Sequence, residues 1–218
     1  MPNTITPQSP ASIPRQSASN PAATEFGGPQ TEKIVGKLHG DYFEQTQSGY
    51  HFWATVATAA AIPIQTSTTF VLCLFNPSNS GRLVVPTLLN LGVVATTEVP
   101  GNVLINFSIN NGAQVATGSP ILTGTAITPQ NARIGAGANQ KALAFSAGTL
   151  TAATTFGFTT GISQYTTAMA TAVPSPVRSY EFKGGVILEP GSAIFVMANA
   201  ATGTTYQQSI FWYETPYV

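Results

Sequence analysis

The sequence predicts an all-β protein, an antiparallel sandwich preceded by an extended arm. Three observations predict it. From about residue 36 onward, β-branched and aromatic residues are dense. Turn residues interrupt them at short intervals, as in chains of many short strands. No long apolar stripe of period 3.6 occurs, and the abundant Ala lies among Thr, Val and Gly, as in VATAAAIPIQTSTT, so the helix signal is absent.

Residues 1–36 read differently. They are rich in Pro, Ser, Asn, Gln and Thr and poor in large hydrophobes. Such text buries too little apolar area to offset its ordering entropy, and proline denies it regular pairing. We expect an extended arm over 1–36 and a β-sandwich domain over 37–218. Ile5, Ile13, Arg15 and Phe26 are the residues expected to anchor the arm on a neighbouring subunit. A tail without a role fits the composition equally well.

The strands follow in order. Residues 51–64 open with aromatics. Residues 68–75 form a continuous apolar run, the pattern of a strand covered on both faces. Residues 83–96 should bend near Pro86. Residues 102–110 alternate, with Val103, Ile105, Phe107 and Ile109 on one side. Residues 178–182, 185–188, 192–198 and 205–213 complete the set. Between them, Asn76-Pro77-Ser78-Asn79-Ser80-Gly81 supplies a loop, and Pro100-Gly101 and Asn110-Asn111-Gly112 supply tight turns. Glu189-Pro190-Gly191-Ser192 reads as a type II turn, with Gly where φ must be positive. Residues 111–172 are weaker text, fitting two or three short strands and long loops. Eight or more strands without crossover helices make a sandwich. The long connections favour a jelly roll over an immunoglobulin fold, which the missing Cys…Trp…Cys pattern also opposes.

Charged residues are only 7% of the chain, eight basic against eight acidic, where ordinary domains carry about 25%. The surface must be covered by uncharged polar residues or by partner chains. The Lys and Arg are scattered, so neither nucleic acid nor an anionic membrane surface is an expected partner. No stretch has the length and apolarity of a membrane helix, and no export signal is visible. The single cysteine, Cys73, excludes an intrachain disulfide and reads as a small buried thiol, compatible with synthesis in a reducing compartment.

No catalytic constellation stands out. Gly135-Ala136-Gly137-Ala138-Asn139-Gln140-Lys141 lacks the Gly-Lys-Ser/Thr ending of a phosphate loop. His39, Asp41, Glu44 and His51 make the best polar cluster, but ligation of a metal is outweighed by their place at the arm–domain junction, where they should be solvated. Glu98, Glu181, Glu189 and Glu214 could furnish a glycosidase pair, yet nothing converges them, and Glu214 is expected at an exposed end. Asn106-Phe107-Ser108 matches a glycosylation sequon inside a strand and reads as chance. No enzyme activity, cofactor or metal is expected. Ile194-Phe195-Val196-Met197 and Ile210-Phe211-Trp212-Tyr213 are apolar on both faces. That requires a second covering layer or a subunit interface, and Phe195, Met197, Phe211, Trp212 and Tyr213 are the interface candidates.

Two blocks carry a resemblance. Leu74-Phe75-Asn76-Pro77-Ser78-Asn79-Ser80-Gly81-Arg82-Leu83 resembles the N-P-x-x-S-G-K stretch of tailed-bacteriophage virion proteins, with Arg in place of the commoner Lys. Gly184-Gly185-Val186-Ile187-Leu188-Glu189-Pro190-Gly191-Ser192 is similar to their G-x-x-L-x-P-G-x turn, also found in trimeric jelly rolls of the tumour-necrosis-factor type, with Ser where Asp is often found. Gly49-Tyr50-His51-Phe52 fits the same layout. The resemblance implies a non-enzymatic virion structural protein, assembled in the host cytoplasm. Its first form is a homotrimeric cement or decoration protein that clamps major capsid subunits or other virion subunits. A tail, baseplate or head-fibre component that binds a host receptor, through residues 111–172, is the second. A small-virus capsid protein is third, disfavoured because the arm holds only Arg15 and Lys33 as basic residues.

Overall fold

The computed structural model describes residues 23–27, 33–37, 42–95, 101–110, 121–150, 155–166, 177–200 and 204–216. Its described residues are mostly strand, with one short helix. The first described elements, β1 (Ala23–Gly27) and β2 (Lys33–Lys37), pair antiparallel. The expected boundary at 36/37 falls inside β2. Thr24, Phe26, Ile34 and Val35 have strand propensity, and the proline density around them masks it in a long window.

After α1 (Phe43–Gln47) come β3 (His51–Thr55), the two-residue β4 (Ala60–Ala61), β5 (Thr69–Phe75), β6 (Arg82–Ala95) and β7 (Gly101–Asn110). Next are β8 (Ile121–Ile127), the two-residue β9 (Gln130–Asn131), β10 (Leu143–Leu150) and β11 (Thr155–Thr166). β12 (Val177–Glu181), β13 (Ala193–Ala198) and β14 (Thr205–Pro216) finish the chain. One sheet runs β12-β6-β14-β3-β9 and the other β11-β7-β13-β5-β10-β8. All strand pairs in both are antiparallel.

Between the sheets lies the main core. Phe52, Leu89, Leu91, Tyr206, Ile210 and Trp212 come from the first sheet. Leu72, Leu74, Ala144, Ile194 and Val196 come from the second. Each large side chain so buried contributes about 1.5–3 kcal/mol. The burial of β14 alternates residue by residue, the period a strand with one core face requires. In β5 and β13 the alternation vanishes: Phe70 to Phe75 and all of β13 are buried.

Several expectations shift in detail. The run 51–64 breaks after Thr55 and resumes only as the two-residue β4; Pro63 then has no N–H for a ladder, and Ile64 makes only an isolated parallel bridge to Ala198. The bend near Pro86 is a β-bulge. Phe211 pairs with Leu88 and Trp212 with Pro86, leaving Thr87 as the extra residue. Residues 185–188 form no strand beyond the bridge of Val84 to Leu188, because Lys183 and Gly184 turn at positive φ. Gly191 has φ 89° and Ser192 N–H donates to Glu189 O at 3.0 Å, the geometry expected of a type II turn. Helix α1 is too short for any periodic signal.

Candidate functional site

The two sequence blocks that carry the resemblance, and the Gly49-Tyr50-His51-Phe52 stretch that fits the same layout, meet at one end of the sandwich. Asn76 is fully buried. Its Nδ2 donates to Arg82 O and to Leu188 O, each at 2.8 Å. Its backbone N–H donates to Ser192 O and its carbonyl accepts from Gly191 N–H. One asparagine therefore clasps the two turns, which explains why the turn at 76 opens with an amide. The Arg82 guanidinium sits 5.1 Å over the Tyr50 ring of the 49–52 stretch, a cation–π contact. Arg and Lys can both make it, so the departure at 82 keeps the interaction.

A second constellation covers the outer face of the β12-β6-β14-β3-β9 sheet. The register sets Leu88, Phe211 and Trp53 side by side across three strands. Trp53 and Phe211 stack with centroids 6.3 Å apart. Tyr42, just before α1, packs on Tyr213 at 5.9 Å and on His51 at 5.6 Å. Burial raises the Tyr42 phenol above its ordinary range, with smaller contributions from Tyr213 and Glu181. His51 is bracketed by hydroxyls, Thr46 Oγ1 at 2.9 Å from Nδ1 and Thr87 Oγ1 at 3.2 Å from Nε2. Either hydroxyl can donate or accept, so both suit a neutral ring. Burial lowers the His51 pKa to about 4.

The structure sorts the interface candidates. Phe195, Met197 and Trp212 are fully buried within the chain, so they cannot form a subunit interface. Trp212 faces the main core. Phe195 and Met197 lie in a second apolar cluster with Phe70, Cys73, Phe75 and Leu150. Phe211 and Tyr213 are half-buried on the outer face and keep the exposure an interface needs. Of the arm anchors, Ile5, Ile13 and Arg15 lie outside the described residues, and Phe26 is placed only as a backbone position of β1 opposite Ile34.

Among the described residues the polar candidates do not converge. His39, Asp41 and Glu98 lie outside the described residues. His51 is buried rather than solvated, a correction that follows from Tyr42 folding over it. Glu181 and Glu189 are exposed. Glu214 is buried, not at an exposed end: its carboxylate accepts from the backbone N–H of Lys141 and Ala142 and from Trp212 Nε1. It pins the segment before β10 to β14. The two backbone donors are more than 70 positions upstream, which no local pattern could reveal. Cys73 is buried and its thiol pKa is raised by desolvation. Among the described residues no three of His, Cys, Asp and Glu group as metal ligands, and no helix is long and apolar enough to cross a membrane.

No protein-family model matches this chain, and neither the curated proteins nor the solved structures contain a match to it.

Proposed function

We propose that this chain is a non-enzymatic structural subunit of a virion: a homotrimeric jelly-roll cement or decoration protein whose N-terminal arm clamps neighbouring capsid subunits. The observation that carries the reading is the clasp at Asn76. The blocks that resemble tailed-phage virion proteins are joined by direct contacts into one end of the sandwich, so the likeness rests on a spatial unit as well as on turn strings.

Strand order supports the jelly-roll part. Number β3, β5, β6, β7, β11, β12, β13 and β14 from one to eight. One sheet then contains 1-8-3-6 and the other 2-7-4-5, the interleaved order of two Greek keys. The segment from β8 to β10 is an insertion between the fourth and fifth strands. It adds β10 and β8 beside β5 and β9 beside β3, covering neighbouring edges of both sheets, where bare strands would invite aggregation. A cement protein acts by binding the assembled shell more tightly than its parts, which stabilises the shell by mass action.

The test is binding of the full chain, and of a version lacking residues 1–36, to capsid shells stripped of accessory proteins. Trimers that bind shells only with the arm present support the reading. Full-length protein that ignores shells and binds host cells moves the function to a tail, baseplate or head-fibre receptor-binding component.

A further inference from the structure

We infer that the core is wet at one end: Gln208 holds at least one ordered water between the two sheets. This water site goes beyond the subunit reading above and does not depend on it.

Gln208 is fully buried. The alternation of β14 turns it inward with Tyr206, Ile210 and Trp212. Among the described residues, neither its amide nitrogen nor its amide oxygen has a hydrogen-bond partner. The strands on either side supply none. Val56 N–H is spent on the Gln208 backbone carbonyl at 2.9 Å, and Leu91 pairs with Gln208 across from β6. The side chains of Val56 and Leu91 are apolar and buried. Gln207 gives the contrast: on the opposite face of β14, its side-chain amide donates to Val56 O. A primary amide offers two donors and two lone pairs, and leaving them unmade in an interior is costly. Buried polar groups that a chain does not pair for itself are bonded to ordered water.

The surroundings favour water at this end of the core. Residues 60–65 cross from one sheet to the other: Ala61 pairs with Thr205 of β14, and Ile64 bridges to Ala198 of β13. On β13 the residues that face the main core are Ile194, Val196 and Ala198, so the side chains shrink to a methyl where the crossing segment arrives. Gln65 ends that crossing, with its backbone N–H on Ala198 O at 3.1 Å. Its side-chain nitrogen is a second buried amide atom without a partner among the described residues. Two unpaired amides beside a small residue, in an otherwise apolar core, meet the needs of an internal water, which are polar partners and room for one molecule. An ion is a poorer occupant, because the buried residues around Gln208, namely Val56, Ile62, Leu91, Ala198, Tyr206 and Ile210, carry no charge.

The experiment is magnetic relaxation dispersion of water in solutions of the full chain, which counts the waters held inside it. The variants are Gln208→Met and, as control, Gln207→Met. Methionine is unbranched, apolar and adaptable in a core, and circular dichroism and thermal melting check that each variant folds. The expected result is the loss of at least one long-lived water in Gln208→Met and no loss in Gln207→Met. A crystal structure of the wild-type chain keeps the test open if Gln208→Met does not fold: density for a water about 3 Å from the Gln208 amide is expected. A wild-type chain without long-lived water, a count unchanged in Gln208→Met, an equal loss in the control, or a Gln208 amide bonded only to groups of the protein overturns the inference.

Discussion

The two sheets finish their outer sides differently. In the second sheet, β5 and β13 are sealed on both faces, with Phe70, Cys73, Phe75, Phe195 and Met197 packed into a cluster of their own. In the first sheet, β14 is sealed on one face only, and its other side leaves Phe211 and Tyr213 half-covered. Both strands are apolar on both sides in sequence. The difference teaches that a doubly apolar strand has two endings, an internal layer or an external partner, and that the strand's own residues do not choose between them. What chooses is whether other parts of the chain are placed over it, and that depends on contacts distant in sequence.

The largest effect should come from the sealed side. Replacing Phe195 with Ala removes a fully buried ring that lies 5.5 Å from the Phe70 ring. A loss of about 3–5 kcal/mol is expected, read as a lower denaturant midpoint with an unchanged slope. A loss near that of a surface substitution would mean that the second cluster is not a packed layer.

The Asn76 clasp ranks next. Asn76→Ala strips the amide donor from two carbonyls at Arg82 and Leu188. Leaving buried acceptors unpaired should cost about 2–4 kcal/mol in all. Asn76→Asp should be no milder, since a carboxylate cannot donate to either oxygen.

Gly148 tests how tightly the second sheet is closed. A Cβ there would stand 2.2 Å from Thr123 O and 2.3 Å from Phe70 Cζ. The ring could move but the carbonyl belongs to the paired strand β8. Gly148→Ala should therefore destabilise by about 1–3 kcal/mol, and a neutral outcome in thermal melting would show that Phe70 has room to leave.

These elements also show what could be read in advance. The all-β class, the doubly covered β5 and the type II turn at 189–192 follow from local patterns, because periodicity and turn chemistry are properties of neighbours in sequence. Asn76 was visible as a turn residue, but its clasp to Leu188 was not. The burial of Glu214 and His51 was misread for the same reason: their coverings, the Lys141–Ala142 backbone and the Tyr42 ring, are supplied by folding. Phe211 and Phe195 were indistinguishable in the sequence and opposite in the structure.

His51 offers a graded way to loosen the first sheet's outer side. Its folded pKa is about 4, below an unfolded value of about 6.5. Between those values the unfolded chain binds the proton and the folded chain does not, so stability rises with pH. The contribution is fully present above about pH 6.5 and is lost as the pH falls to about 4. Discounted for remaining solvent access, it should amount to about 1–2 kcal/mol. A His51→Gln chain, with no titrating ring, should show a flatter pH profile of unfolding across this window. Parallel profiles would place the proton uptake elsewhere.

The smallest effect on stability should come from Phe211, and it separates the two sheets most directly. The ring is half-exposed and leans on Trp53 and His51 without entering the main core. Phe211→Ala removes partial burial and leaves no closed cavity, so the loss in the isolated chain should stay near or below about 1 kcal/mol. If the ring lies in the interface of the proposed trimer, the same substitution should weaken self-association far more than it weakens folding, because a central aromatic is where interface energy concentrates. Unfolding and sedimentation of one variant therefore read the two roles separately. Equal damage to both would make Phe211 an ordinary packing residue. Damage to association alone would assign the open side of β14 to a partner, as the sealed side of β13 is assigned to the chain itself.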